Sequence, residues 1–314
     1  MRDARASFPR RFYLYVQERC PLLGNGLLIV SYYSSNQFLA RALLEPGTPM
    51  HFDGVSIAGI VAVLCFFFHI RVFDEHKDFE DDSRYFPHRV LQRGVVTLAE
   101  LLVVAAVAIA IEVIVSVARG IPAVTGWLIA FGFSLLMLKE FFVREWLKRH
   151  FVAYALSHML LMPLLSLWIF SLAVERLPWE APPVYMLYAM VGFFVTLNWE
   201  VSRKIRAPEQ EIEGVETYTK IFGTYGAAWL VLLIRLVDTA LVAYVGWVLG
   251  FGTFFYVAIA LLYAVCLAGF LQFRFNTTVR SAKMMEIYAG VYMIVFDILV
   301  AVELGRTRGL EISV

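Results

Sequence analysis

The stretch VSIAGIVAVLCFFFHIRVFDEHKDFEDD, residues 55–82, joins an apolar run to a dense acidic segment. The apolar part, 55–73, is long enough to cross the hydrocarbon core of a bilayer, which takes about 20 residues of helix. The nine residues that follow, 74–82, contain six carboxylates. We therefore predict a membrane helix whose end carries a cluster of negative charge.

The spacing of these carboxylates predicts that several of them share one helix face. Asp74, Asp78 and Asp82 recur every four residues, and Glu75 lies three residues before Asp78. Like charges at this spacing repel, whereas Mg²⁺ is held by carboxylates and shared with substrate phosphates. The basic residues that follow are Arg84, Arg89 and Arg93. We interpret the segment as a cation–phosphate site; the alternative is a solvated acidic loop.

The composition of the whole chain is that of a polytopic membrane protein. Of its 314 residues, 60% are hydrophobic and 17% are charged, and the mean hydropathy is +0.70. We therefore predict an all-α protein with a single membrane domain, residues 1–314, and no nucleic-acid partner. The nine candidate membrane helices are 22–43, 55–73, 95–117, 122–139, 151–173, 183–201, 222–248, 253–273 and 284–304.

The distribution of Lys and Arg predicts the orientation of the chain. Basic residues concentrate in the N-terminus and in every second loop after it, among them Arg2, Arg5, Arg10 and Arg11. The alternate loops and the C-terminus hold Arg119, Arg176, Arg306 and Arg308. By the positive-inside rule, the N-terminus and the charged loops are cytoplasmic in the cell or inner membrane. Nine crossings then put the C-terminus on the opposite side.

A second polar segment, 198–213, follows the sixth candidate helix, just as the acidic segment follows the second candidate helix. Its Arg203, Lys204 and Arg206 are suited to phosphate oxygens, although they are also typical of an anchor to anionic headgroups. Pro208 predicts the end of the helix. The tetrapeptides at 94–97 (GVVT) and 214–217 (GVET), 120 residues apart, suggest a parallel internal repeat. We expect the two polar loops to be cytoplasmic caps that face one central cavity.

At these residues the chain resembles the UbiA superfamily of intramembrane prenyltransferases. The family signature Asn-Asp-x-x-Asp-x-x-x-Asp is similar to Asp74-Glu75-x-x-Asp78-x-x-x-Asp82, and Arg89 and Gly94 match the flank that follows it. The second family signature, Asp-x-x-x-Asp, is replaced by Glu200-x-x-Arg203-Lys204-x-Arg206-x-x-Glu209. The resemblance therefore identifies a divergent branch of the family.

The resemblance implies Mg²⁺-dependent transfer of a prenyl group from a polyprenyl diphosphate to a membrane-associated acceptor. It implies catalytic roles for Asp78, Asp82 and Lys77, and diphosphate binding by Arg89, Arg203, Lys204 and Arg206. The implied metal ligands are Asp74, Glu75, Asp78, Asp82, Glu200 and Glu209. The acceptor, the prenyl chain length and the oligomeric state are left open.

The alternative function is a transporter that binds a divalent metal or an organic anion. Such a protein needs a polar route past the bilayer midplane, for which the sequence offers Glu100, Glu112, Asp238 and Asp297. We expect Asp238 to pair with Arg235 on one helix face. A CDP-alcohol phosphotransferase is a weaker alternative, because its Asp-Gly-x-x-Ala-Arg core is absent from the sequence.

Overall fold

The computed structural model describes residues 6–313, so the basic residues Arg2 and Arg5 lie outside the described part. Two short strands, β1 (Met50–Asp53) and β2 (Leu310–Ser313), accompany the helices. The helices are α1 (Phe8–Arg19), α2 (Leu22–Leu44), α3 (Gly54–Lys77), α4 (Phe79–Tyr85), α5 (Leu98–Ala118), α6 (Ile121–Leu138), α7 (Arg144–Arg149), α8 (Phe151–Met159), α9 (Leu161–Val174), α10 (Pro183–Arg203), α11 (Tyr218–Val248), α12 (Thr253–Phe275) and α13 (Val279–Arg308).

Eight helical segments within residues 6–313 are long and apolar enough to cross a membrane, with α8 and α9 counted as one segment. The helix α2 has 23 residues but is interrupted by polar side chains between Ser31 and Asn36. Those side chains are buried inside the protein rather than turned to the surroundings, apart from the half-buried Ser34. The chain is therefore an all-α polytopic integral membrane protein, and α2 is the ninth long helix among the described residues.

The long helices pack as a closed ring of neighbours. In order around the ring they are α2, α3, α5, α6, α9, α10, α11, α12 and α13, and α13 packs back against α2. Contacts of α2 with α9 and of α10 with α13 cross the middle. Buried polar side chains join these central helices: the Tyr185 hydroxyl donates to Ser166 O (2.7 Å), and Asp297 accepts from Tyr188 (2.8 Å). Two groups of four helices thus meet around α2: one consists of α3, α5, α6 and α9, and the other of α10, α11, α12 and α13.

The two ends of the described chain lie at opposite ends of this bundle. At one end, Arg11 of α1 forms an ion pair of 2.6 Å with Glu100, in the first turn of α5. At the other end, β2 pairs in parallel with β1, which directly precedes α3. Because α3 is 24 residues long, these ends are separated by about 36 Å. Which end faces the cytoplasm stays a prediction from the charges.

The helix bounds are close to those predicted, and the short sequence repeat has a structural counterpart. Gly94 and Gly214 both have positive φ, +70° and +80°, and each lies three residues before a Thr that begins a helix. Thr97 caps α5 and Thr217 caps α11 through their side-chain oxygens. The prediction that Pro208 ends the preceding helix is wrong, because α10 already ends at Arg203 and Pro208 begins a separate turn.

Candidate functional site

The acidic segment remains nearly helical across the junction of α3 and α4. The amide of Asp78 donates to the Asp74 carbonyl at 2.9 Å, and the amide of Asp82 donates to the Asp78 carbonyl at 2.8 Å. Burial raises the pKa of Asp78 to about 6; Lys77 opposes this shift, and Asp74, Asp82 and Glu140 add to it. The like-charge repulsion predicted from the sequence is therefore present around Asp78.

The carboxylates on either side of Asp78 have basic partners. Asp82 forms an ion pair with Arg89 and lies 3.6 Å from the Arg19 guanidinium. Asp74 lies 3.2 Å from the Lys77 ammonium, which also donates a hydrogen bond of 2.6 Å to the Tyr154 hydroxyl of α8. Asp78 is half-buried and its carboxylate has no hydrogen bond or ion pair within residues 6–313. Among the described carboxylates of this segment that are at least half-buried, Asp78 is therefore the one without a basic partner.

The structure does not place Glu75 with the predicted metal ligands. Its side chain is 1% exposed and faces α1, where Arg19 approaches it at 2.7 Å and Tyr15 at 3.4 Å. Arg71, one turn earlier in α3, lies 3.2 Å away. Two guanidinium groups compensate this buried carboxylate between α1 and α3, and removal of either one would leave its charge less well compensated. We therefore correct the assignment of Glu75 from metal ligand to structural anion.

The second cap begins at the end of α10 with a buried carboxylate between two cations. Glu200 forms ion pairs with Arg203 and with Lys204, the latter at 2.8 Å. The Lys204 ammonium also lies over the Phe151 ring, 4.5 Å from its centroid. Burial lowers the pKa of Lys204, while the nearby charges of Glu200 and Asp78 oppose this shift. The Lys204 ammonium is thus close enough to the first cap to interact with Asp78.

The two caps also touch through backbone and aromatic groups. A Cβ built on Gly214 of the second cap would lie 2.7 Å from the hydroxyl oxygen of Tyr85 in α4. The positive φ of Gly214, +80°, is a second reason for glycine at this position. In addition, Lys148 of α7 lies 3.2 Å from Asp81. The two segments therefore lie at the same end of the bundle and touch each other at Gly214 and Tyr85; that they face one central cavity stays a prediction.

Two predicted residues of the second cap serve other purposes or lie apart. The Arg206 guanidinium donates to the carbonyl oxygens of Arg203 (2.7 Å) and Ile205 (3.0 Å), so it caps the end of α10. Glu209 is exposed in the turn that begins at Pro208, and its side chain has no hydrogen bond or ion pair in the part of the chain that is described. The structure brings neither residue to Asp78.

The carboxylates of the acidic segment can be compared with the ligands that Mg²⁺ requires. Across residues 6–313, no group of three or more His, Cys, Asp or Glu side chains forms a site that holds a metal ion by itself. Mg²⁺ does not need such a cage, because it is commonly bound by one or two carboxylates together with water and substrate phosphates. Asp78, with Asp74 one turn before it, fits that requirement. The residues therefore suit a cation shared with a diphosphate.

Three residues that the sequence interpretation missed border this site. Arg19 reaches Asp82 from α1, Tyr154 binds Lys77 from α8, and Glu140 raises the pKa of Asp78 from the α6–α7 connection. None of them belongs to a motif. Their only sequence signal is a polar group close to a predicted helix end.

The carboxylates that would serve a transport route have separate partners on different helices. Glu100 pairs with Arg11, and Glu112 accepts from the Trp127 indole (2.9 Å) and lies 2.8 Å from His69. Asp238 pairs with Arg235 at 2.8 Å, as predicted, and Asp297 binds Ser35 and Tyr188. These are local structural contacts, between helices for Glu100, Glu112 and Asp297 and within α11 for Asp238, and the geometry does not favour a transporter.

No protein-family model and no curated protein matches the sequence. Two solved structures share its fold. One is described as the apo structure of a UbiA homolog from Aeropyrum pernix K1, with a TM-score of 0.65 and 16% identity over 86% of this chain and 97% of that one. The other is from a study of a digeranylgeranylglyceryl phosphate synthase in membranes, with a TM-score of 0.62 and 16% identity over 94% of this chain and 99% of that one. The chain therefore has the UbiA fold, as its sequence motifs predict.

Proposed function

We propose that this protein is an intramembrane prenyltransferase that takes a prenyl group from a polyprenyl diphosphate. The observation that carries the proposal is the contact between an acidic cap and a basic cap at one end of a UbiA fold. Asp78 carries an unneutralised carboxylate on one side, and Arg203 and Lys204 provide cations on the other. This arrangement suits a diphosphate together with Mg²⁺.

The residues of the two caps have separate tasks in this proposal. Asp78 and Asp74 would hold Mg²⁺, which would supply neutralisation of the charge on the leaving diphosphate. Arg203 and Lys204 donate hydrogen bonds to phosphate oxygens, and each ammonium or guanidinium contact of this kind is worth about 1.5–3 kcal/mol. Arg89 is already oriented by Asp82 and by the Phe86 ring, 4.0 Å away. It is the third candidate for a phosphate contact.

The proposed transfer is a substitution at the allylic carbon of the prenyl diphosphate. The bond between this carbon and the diphosphate oxygen breaks, and its electron pair leaves with the diphosphate. A bond forms between the allylic carbon and a nucleophilic atom of the acceptor, whose proton passes to solvent or to a base. Aromatic side chains can stabilise the positive charge on the prenyl group. The acceptor and the prenyl chain length are not assigned.

Variants of the basic cap test the proposal through binding. Arg203→Ala and Lys204→Ala should each weaken binding of a prenyl thiodiphosphate about ten-fold or more in the presence of Mg²⁺, because a charged hydrogen bond is lost. Binding of the corresponding prenyl alcohol should change much less. Lys283→Ala is the matched control, since Lys283 is an exposed cation that pairs with Glu286 outside both caps.

Two results would contradict the proposal. If the two cap variants weaken alcohol and thiodiphosphate binding equally, these cations do not recognise phosphate. If Lys283→Ala has the same effect as the cap variants, the loss reflects the overall charge of the protein surface.

A further inference from the structure

A cavity of about 530 Å³ lies between the cap ends of α3, α5 and α6, beside the two caps. Its apolar wall is formed by Phe73, Leu102 and Leu138. Its polar wall is formed by His76, Lys77, Lys139, Glu140 and Arg144. The volume is within the usual range for a small-ligand site, about 300–1,000 Å³. Lys77 and Glu140 also border the site between the caps, and the other lining residues do not belong to the predicted diphosphate site.

The polar wall carries more positive than negative charge. Lys77, Lys139 and Arg144 supply three cations, against the single carboxylate of Glu140. Glu140 pairs with Arg144 at 2.9 Å, whereas the Lys139 ammonium has no hydrogen bond or ion pair in residues 6–313. Within the same described range, the buried Nε2 of His76 also has no partner. The cavity therefore offers an unused cation and a free imidazole nitrogen to an anionic group.

The apolar wall leads toward the membrane. Leu102 on α5 is 44% exposed, although it is a large hydrophobic side chain. Only 28% of the residues in the apolar segments of α5 and α6 are buried inside the protein, so part of each helix lies at the surface that faces the membrane. A ligand in this cavity would therefore have its charged group at the polar wall and a chain that leaves between α5 and α6 into the bilayer.

The connection between α6 and α7, which borders the cavity, contains a strained turn. Glu140, Phe141 and Phe142 all have positive φ, 47°, 53° and 61°, although none of them is glycine. Phe141 is fixed by edge contacts with the rings of Phe133 (5.4 Å) and His158 (5.7 Å). Such a conformation persists only where the surrounding structure enforces it. The turn sets the path of the α6–α7 connection, whose Lys139, Glu140 and Arg144 line the cavity.

We propose that this cavity binds an anionic amphiphile, with a phosphate or carboxylate head at Lys139 and Arg144 and an apolar chain against Leu102 and Leu138. The site is separate from the one between the caps, but Lys77 and Glu140 border both. It does not depend on the identity of the transferred group.

Native mass spectrometry of the purified protein in detergent tests this inference with three probes: dioleoyl phosphatidic acid, dioleoyl phosphatidylcholine and inorganic phosphate. We expect phosphatidic acid to bind about ten-fold more tightly than either of the others, because only it combines the charge with the chain. The double variant Lys139→Gln/Arg144→Gln should remove this preference. Leu138→Trp, which fills the apolar wall without changing any charge, should weaken phosphatidic acid binding about ten-fold by excluding the chain. Arg149→Gln, an exposed cation of α7 outside the cavity, is the control and should leave binding unchanged.

Equal binding of the three probes would overturn the inference, and so would equal losses in the double variant and in Arg149→Gln. Tight binding of inorganic phosphate alone would overturn the role of the chain. Binding of pyrophosphate with Mg²⁺ is measured on the same samples, because it reports on the site between the caps. If the wild-type protein fails to bind pyrophosphate but keeps its preference for phosphatidic acid, the proposed function fails and this inference stands.

Discussion

Asp78→Asn should stabilise the unliganded protein at neutral and alkaline pH while it removes a ligand from the site. Burial raises the pKa of Asp78 from 3.8 to about 6 in the folded protein. One pKa unit corresponds to about 1.4 kcal/mol, and water reaches the half-buried side chain, so we expect a gain of about 1–3 kcal/mol in the free energy of unfolding. Asn is uncharged at every pH, so the folded variant does not bear the free-energy cost of burying an ionised carboxylate at this position.

The pH dependence of the gain has a definite sign. A carboxyl whose pKa is raised on folding binds its proton more tightly in the folded state, so its ionisation destabilises the protein as the pH rises. The cost is absent below the unfolded pKa of 3.8, grows between this value and about 6, and is complete above it. Asp78→Asn should therefore be more stable than wild type at about pH 8 and nearly equal to it at about pH 4.

The assay is thermal or denaturant unfolding in detergent with a chelator present, across this range of pH. Asp81→Asn is the control, because the side chain of Asp81 is 52% exposed and pairs with Lys148. It should give no gain at alkaline pH. Mg²⁺ with pyrophosphate should stabilise the wild type but not Asp78→Asn. A gain that is independent of pH, or the same gain in Asp81→Asn, would refute the argument that the Asp78 charge is unneutralised.

The remaining predictions concern the contacts that hold the caps. Arg19→Ala should lower the free energy of unfolding by about 2 kcal/mol, because the buried Glu75 loses its closest partner and keeps only Arg71 and Tyr15. Arg11→Ala, which breaks a more exposed pair on the same helix, should cost clearly less than Arg19→Ala; equal losses in denaturant unfolding would contradict the role of Glu75. Gly214→Ala should weaken pyrophosphate binding several-fold, because its Cβ would lie 2.7 Å from the Tyr85 hydroxyl, and an added Tyr85→Phe should restore part of the affinity. Gly47→Ala shares the positive φ but has open space around it, so an equal effect there would exclude crowding as the cause.

The sequence predicted the membrane helices and the common end of the two polar segments, though not their direct contact, because the first two follow from local patterns. Apolar runs of membrane length give helices, and the order of the helices places the second and sixth loops at the same end. The tetrapeptides at 94–97 and 214–217 correspond to equivalent turns, because glycine suits the positive φ and Thr caps the helix that follows. These features depend on neighbouring residues in the chain.

Other features depend on tertiary neighbours and were not predicted. Spacing alone cannot show that Glu75 forms buried ion pairs whereas Asp78 forms none within residues 6–313. The difference arises because α1 brings Arg19 to Glu75 and not to Asp78. Arg206 has the composition of a phosphate ligand, but the early end of α10 leaves carbonyl groups that it caps. The turn at Glu140–Phe142 contains no glycine, so nothing in the residue types indicates its left-handed backbone.

Transfer of the prenyl group is the most direct test of the account. Purified protein in lipid nanodiscs is given Mg²⁺, radiolabelled polyprenyl diphosphates and a total lipid extract as the source of acceptor. We expect a new labelled lipid together with an equal amount of released pyrophosphate. Asp78→Ala should lower this turnover by several orders of magnitude. Wild-type turnover in Asp78→Ala, or no labelled product from wild-type protein that binds pyrophosphate with Mg²⁺, would contradict the proposed function.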